Sequence, residues 1–283
     1  ALADDIADDT KLNASSSAIP NTATVLPADI MKKFCKAVES VSQNTSTATY
    51  TVAYANVGMG AKQGKSQFTL TITESTGNPV TGLAAAGTLS VVPTMYMKDS
   101  MNHSTPLESI AETVPGVSGV YTVTLYYLMS TAMSGKASGH WELKVTIGTG
   151  AAAETLSFYP YVDMAMAGDD TPSASLYGLT DIITMGMTVE NRKYTLFNES
   201  AVTAADKKLS LYVVHDEGMK KTFADVHSGA ILISPTGTIN TISLLASTDK
   251  TTWTGAVVDS GNGHWTLDIG GLAGAINDVV TVY

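Results

Sequence analysis

Gly139-His140-Trp141-Glu142-Leu143 reads as the opening of a β-strand, and Gly263-His264-Trp265-Thr266-Leu267 repeats it 124 positions later. A second match runs in the same order. Val57-Gly58-Met59-Gly60 followed by Phe68-Thr69-Leu70 answers to Ile183-Thr184-Met185-Gly186 followed by Tyr194-Thr195-Leu196, each pair displaced by 126 positions. Two ordered matches at nearly equal offsets imply a duplicated domain. Each copy would hold about 115 residues and about seven strands, the size of an immunoglobulin-like sandwich.

The segments around these matches alternate with period two, as half-buried strands do. Tyr50, Val52 and Tyr54 alternate, as do Phe68, Leu70 and Ile72, and Ser75-Thr76-Gly77-Asn78-Pro79 supplies the turn after the second run. Gly119 to Tyr127, Trp141 to Ile147 and Thr155 to Val162 continue the pattern. The expected fold class is all-β: two tandem immunoglobulin-like β-sandwich domains, at residues 46–167 and 173–283. Ala167-Gly168-Asp169-Asp170-Thr171-Pro172 is the linker.

Residues 1–45 differ from the rest. Acidic pairs give way to Ser, Thr and Asn, the composition of a mobile arm. Pro27 then opens a short helix over Ala28 to Val41, with Ile30, Met31, Phe34, Val38 and Val41 on one face. Cys35 lies beside that face, as a buried thiol or as the half of an intermolecular disulfide.

Composition narrows the functional classes. The 283 residues carry a net charge of −10 with no basic cluster, which argues against nucleic acid or anionic membrane as partner. No apolar run is long enough for a membrane span. One cysteine excludes an intramolecular disulfide and a Cys-based zinc cage. The start, Ala1-Leu2-Ala3-Asp4-Asp5, reads as a mature end left by signal-peptide cleavage, so the expected location is periplasmic, extracellular or cell-surface. Neither a nucleophile elbow, a P-loop, a dinucleotide fingerprint nor a His-Glu-x-x-His motif occurs, and the reading is of a non-enzyme.

The chemistry concentrates in Val91 to Pro106, where Met95, Met97, Met101 and His103 fall within nine residues. In a strand, residues two apart share a face, so Met95 and Met97 would present two thioethers side by side. Met101 and His103 would repeat the arrangement beyond Lys98-Asp99-Ser100. Sulfur and imidazole together favour Cu(I) over magnesium or calcium. Met129 and Met133 precede Gly139-His140 and would approach the same end of the domain. The competing reading is that these methionines fill irregular gaps in the core and His103 is a surface residue. The pairs Met164/Met166 and Met185/Met187 fit core packing better than a relay of sites.

Three other groups carry weaker signals. His140 and His264 precede matched tryptophans; if Trp141 faces the core, His140 faces out, in a shared structural role such as capping a turn. His215-Asp216-Glu217 with Asp225 and His227 mixes imidazoles and carboxylates, but reads first as a solvated turn. Asp163, Asp169 and Asp170 lack the spacing of a calcium loop.

The first copy resembles the YtkA-like/FixH-like group of exported immunoglobulin-like domains. The motifs are Phe68-Thr69-Leu70-Thr71-Ile72, Gly77-Asn78-Pro79-Val80, Pro93-Thr94-Met95-Tyr96-Met97 and Met101-Asn102-His103. Gly119-Val120-Tyr121 and Gly139-His140-Trp141-Glu142-Leu143-Lys144-Val145 complete them, over about residues 57–150. The second copy keeps the Tyr194 and Trp265 strands but retains only Met219 and His227 of the Met/His segment. The resemblance implies a cell-envelope protein of a group linked with copper handling or respiratory-complex maturation.

Two functions follow as expectations. One is an exported copper-binding protein whose ligands are Met95, Met97, Met101 and His103, joined by Met129 or Met133. The other is a structural subunit of a surface layer or filament, self-associating through residues 1–45 or through edge strands such as Asp278 to Tyr283.

Overall fold

The computed structural model describes residues 43–45, 47–58, 60–97, 102–133, 136–165, 175–185, 188–199 and 208–216. It also describes residues 223–225, 231–233, 239–241, 244–246, 257–268 and 280–282. The expected helix over Ala28 to Val41, Cys35 and Met101 lie outside these. The described residues are predominantly β-strand, in antiparallel sheets, with one short 3₁₀ turn at Gly150–Ala152. The chain divides into two compact units, Ala1–Ala165 and Met166–Tyr283.

Among the described residues the first unit has eleven strands. They are β1 (Gln43–Asn44), β2 (Tyr50–Asn56), β3 (Gly64–Glu74), β4 (Leu89–Met97), β5 (Asn102–Ser104) and β6 (Leu107–Glu112). Then come β7 (Val120–Tyr127), β8 (Ala132–Met133), β9 (Lys136–Ala137), β10 (Gly139–Ile147) and β11 (Glu154–Phe158). One sheet runs β1-β2-β3-β7-β6, the other β11-β10-β4-β5, and β8 and β9 form a small hairpin.

Alternation on each strand dictates how these sheets pack. Phe68, Leu70 and Ile72 of β3 are buried with Val52 and Tyr54 of β2 and Tyr121, Val123 and Leu125 of β7. From the other sheet, Leu89, Val91 and Met95 of β4 and Trp141, Leu143, Val145 and Ile147 of β10 join the same core. Two ring contacts tie the layers together: Tyr54 to Phe158 at 5.3 Å and Tyr127 to Trp141 at 5.0 Å. The result is a two-sheet sandwich with one shared interior. The opposite face of the five-stranded sheet carries Thr51, Ala53, Thr69, Thr71, Thr73 and Thr122, a hydroxyl-and-methyl surface without a formal charge among them.

Two side chains fasten the β3–β4 connection. The Tyr121 phenol donates to the carbonyl of Val80 at 2.7 Å and accepts from the N–H of Leu83 at 3.2 Å. The Glu112 carboxylate accepts from the backbone N–H groups of Gly116 (2.8 Å), Gly82 (3.0 Å) and Gly119 (3.1 Å). Those donors hold its pKa below the ordinary carboxylate range, the Gly116 bond contributing most.

The second unit contains β12 (Ser175–Met185), β13 (Thr188–Asn198), β14 (Lys208–Asp216), β15 (Phe223–Asp225), β16 (Ile231–Ile233) and β17 (Ile239–Thr241). It continues with β18 (Leu244–Ala246), β19 (Val257–Gly261), β20 (His264–Asp268) and β21 (Val280–Val282). Its main sheet runs β12-β13-β14-β20-β19, with β15 on β14. Here the topology departs from the first unit. β3 and β10 lie in different sheets, whereas their sequence counterparts β13 and β20 share one, because β14 pairs with both. The C-terminal strand expected to await a partner is paired internally, β21 against β18.

Candidate metal centre

The site grows out of one cross-strand quartet. β4 and β10 pair so that Met95 stands opposite Trp141 and Tyr96 opposite His140. β5 adds His103 opposite Met95 and Asn102 opposite Tyr96. Directly opposed residues share a face, so two rows result. His103, Met95 and Trp141 lie on the core side, and Asn102, Tyr96 and His140 on the other.

On the core side, Met95 is 0% exposed and belongs to the hydrophobic core, while Met97 and Met129 are half-buried against it. The Trp141 indole N–H donates to the carbonyl of Met129 at 2.9 Å, which fixes the loop after β7 beside the end of β4. His103 is exposed on β5, and Met133 on β8 is 52% exposed. Met95, Met97 and His103 are thus neighbours along β4 and β5, Met129 is tied to Trp141, and the described members of the predicted set grade from buried to open. Met164 is exposed, and Met166, Met187 and the Met185 side chain lie outside the described residues.

On the opposite face the structure gathers residues that the motif reading passed over. His140 is 3% exposed although it points away from Trp141. It caps no turn. Its ring stacks on Tyr96 at 5.3 Å and lies 6.2 Å from Tyr159, the residue after β11. Burial pushes its pKa down to about 4, with the charge of Glu142 acting in the opposite direction. Ser157 donates to the Glu142 carboxylate at 2.6 Å. The Tyr96 pKa is raised, by burial first and then by its hydrogen bond to Glu142. Burial and Glu142 push Tyr159 up to about 12. Alternation along Met95-Tyr96-Met97 already places Tyr96 on this face; its partners depend on pairing with β10 and β11.

The second unit repeats the quartet. Leu211 stands opposite Trp265 and Tyr212 opposite His264, with the Tyr212 and His264 rings 5.1 Å apart. Here the imidazole has a carboxylate partner: His264 Nδ1–H donates to Glu199 at 2.6 Å. In the first unit the matching atom, His140 Nδ1, is buried with no hydrogen-bond partner among the described residues.

The glycine before each His-Trp serves a different need. A Cβ on Gly139 would lie 2.4 Å from the carbonyl oxygen of Tyr96. Gly263 has φ +80° after Asn262 at φ +52°, the two-residue turn joining β19 to β20.

His215 is also relocated. It sits within β14, between Tyr194 and Ala224 on its two neighbours, and is buried. A solvated turn is thereby replaced by a strand position, because Leu211, Tyr212, Val213 and Val214 run buried through it. Asp163 is exposed, and its backbone bridges Ala61 and Gln63. Among the described residues no helix is long and apolar enough to cross a membrane. No protein-family model matches the chain, and comparison with curated proteins gives no match.

Proposed function

We propose that the first unit is an exported immunoglobulin-like domain that binds a soft metal ion, Cu(I), through thioethers and one imidazole. The observation that carries this reading is the row His103, Met95 and Trp141, with Met97 next along β4 and Met129 held by the Trp141 indole. Thioether sulfur is a soft ligand and needs no deprotonation to bind. His103, exposed at the sheet edge, is the entry side, and Met133 and Met101 complete the predicted set. Binding here calls for sequestration or delivery of the ion, with no turnover. The motif resemblance to YtkA-like/FixH-like domains points the same way.

The test is Cu(I) competition against a chelator of known affinity, comparing the wild type with Met97→Ala/His103→Ala. Stoichiometric binding that weakens at least tenfold in the variant supports the reading. Absence of binding in the wild type overturns it.

A second reading, a structural subunit of a surface layer or filament, is favoured by the patch of Thr51, Ala53, Thr69, Thr71, Thr73 and Thr122 on the outer face of the five-stranded sheet. That patch carries no formal charge, although Lys65 and Glu108 lie elsewhere on the sheet. Coulomb repulsion between chains of net charge −10 is weakest where a contact surface carries no charge. Light scattering of the full chain at micromolar concentration separates the two. A monomer at all salt concentrations removes the structural reading.

A further inference from the structure

The outer face of the four-stranded sheet holds a second set of ligands, chemically unlike the first. We propose that Tyr96, His140, Glu142 and Tyr159 bind a hard transition-metal cation, Fe(III) being the ion best matched to two phenols, a carboxylate and an imidazole. The inference is independent of the Cu(I) reading, since alternation places these side chains on the other side of β4 and β10 from Met95 and Trp141.

Three observations carry it. First, His140 is 97% buried (3% exposed) and its Nδ1 has no hydrogen-bond partner among the described residues. A buried polar atom without a partner is rare in a folded protein, and a bound ion is among its standard explanations. Second, oxygen-bearing side chains neighbour the imidazole on the same face of the sheet. Tyr96 stacks on the imidazole and hydrogen-bonds to Glu142, Ser157 donates to Glu142, and the Tyr159 ring lies on the remaining side. Third, the second unit supplies an internal comparison. The same His, opposite the same Tyr, there has Nδ1 on the Glu199 carboxylate. In the first unit that atom has no hydrogen-bond partner among the described residues.

The chemistry selects a cation over an anionic ligand. Neutral imidazole is the form that ligates metals, and the Glu142 carboxylate stands two residues along the same face of the strand. A carboxylate ligand would be repelled there, and a cation is attracted. Carboxylate and phenolate oxygens are hard donors, so the set disfavours Cu(I). Coordination of Fe(III) by both phenols releases two protons to solvent, so affinity rises with pH. Ser157 is a positioning residue: it holds the Glu142 carboxylate.

The experiment uses the full chain titrated with Fe(III) nitrilotriacetate, with Cu(II) and Zn(II) as parallel arms. The expected result is one equivalent of iron with a visible phenolate-to-iron charge-transfer band. Tyr96→Phe and Tyr159→Phe should each weaken binding at least tenfold and diminish the band. His103→Ala/Met133→Ala should leave both unchanged. Each Tyr→Phe variant keeps its ring, and circular dichroism confirms that it folds. Wild-type protein that retains no iron after desalting, or a double Tyr→Phe variant that binds as the wild type does, overturns the proposal. Binding of Cu(II) or Zn(II) without Fe(III) overturns the ferric assignment.

Discussion

Met95 and His103 stand directly opposite each other across the β4–β5 ladder, one fully buried and the other exposed. Packing and ligation therefore make different demands on Met95. Met95→Leu conserves volume and should change stability by less than about 1.5 kcal/mol, whereas Met95→Ala should cost about 2–5 kcal/mol. If Met95 ligates Cu(I), both variants bind it more weakly, the stable Leu variant included. Urea unfolding and Cu(I) competition on the same samples separate the effects. Unaltered Cu(I) affinity in Met95→Leu would assign this residue to the core alone.

Burial of His140 gives the fold a pH dependence. Its imidazole titrates at about 4 in the folded chain against 6.5 when free. Between those values the unfolded chain holds the extra proton, so stability falls as pH falls, by up to about 1.4 kcal/mol per pH unit. Below about 4 this contribution stops growing. Urea midpoints at pH 7 and pH 5, read from tryptophan fluorescence, should converge in His140→Gln. An equal midpoint shift in the variant would show that other groups cause it.

Glu112 works with the opposite sign. Its carboxylate is held below the ordinary range by N–H donors from Gly116, Gly82 and Gly119. Its stabilising contribution is present above the ordinary carboxylate pKa and is lost as pH falls through the lower, folded-state value. Glu112→Gln should lower the melting temperature by a few degrees at pH 7 and by less at acid pH. Equal losses at both would point to shape alone.

The two glycines of the repeated Gly-His-Trp should fail for different reasons. Gly139→Ala drives a Cβ toward the Tyr96 carbonyl, an overpacking cost of about 1–3 kcal/mol. Gly263→Ala places a side chain at φ +80°, at a cost of about 1–2 kcal/mol. Asn suits left-handed positions, so Gly263→Asn should recover most of the loss, while Gly139→Asn should be worse than Gly139→Ala. Melting temperatures of the four variants decide this.

What was legible in the chain was local. Period two in Phe68, Leu70 and Ile72, and the turn at Ser75 to Pro79, show strand and connection directly, and each is found. The Gly-His-Trp repeat predicts matched strands, and β10 and β20 carry them in matched cross-strand quartets. Asn262-Gly263 is itself a strong hairpin signal, and it places the β19–β20 turn. The cluster around His140 was not legible, because it depends on Tyr96 meeting His140 from a strand more than forty residues away. No local pattern encodes that register. The Met residues show the converse: their spacing indicates a shared face, but only the packing of two sheets makes Met95 buried and Met133 open. His215 was misplaced because His-Asp-Glu reads as a charged turn when the buried run before it is overlooked.

That grading of the thioethers has a consequence for oxidative damage. Sulfur reacts with peroxide according to its exposure, and methionine sulfoxide is polar where methionine is not. Among the described methionines, Met133 and Met164, at 52% and 49% exposure, meet an oxidant first, while Met95 is shielded at 0%. Outer thioethers would thus be consumed before the interior one whose oxidation would disrupt the sandwich. Sulfoxide should therefore form at the exposed methionines well before it reaches the interior one.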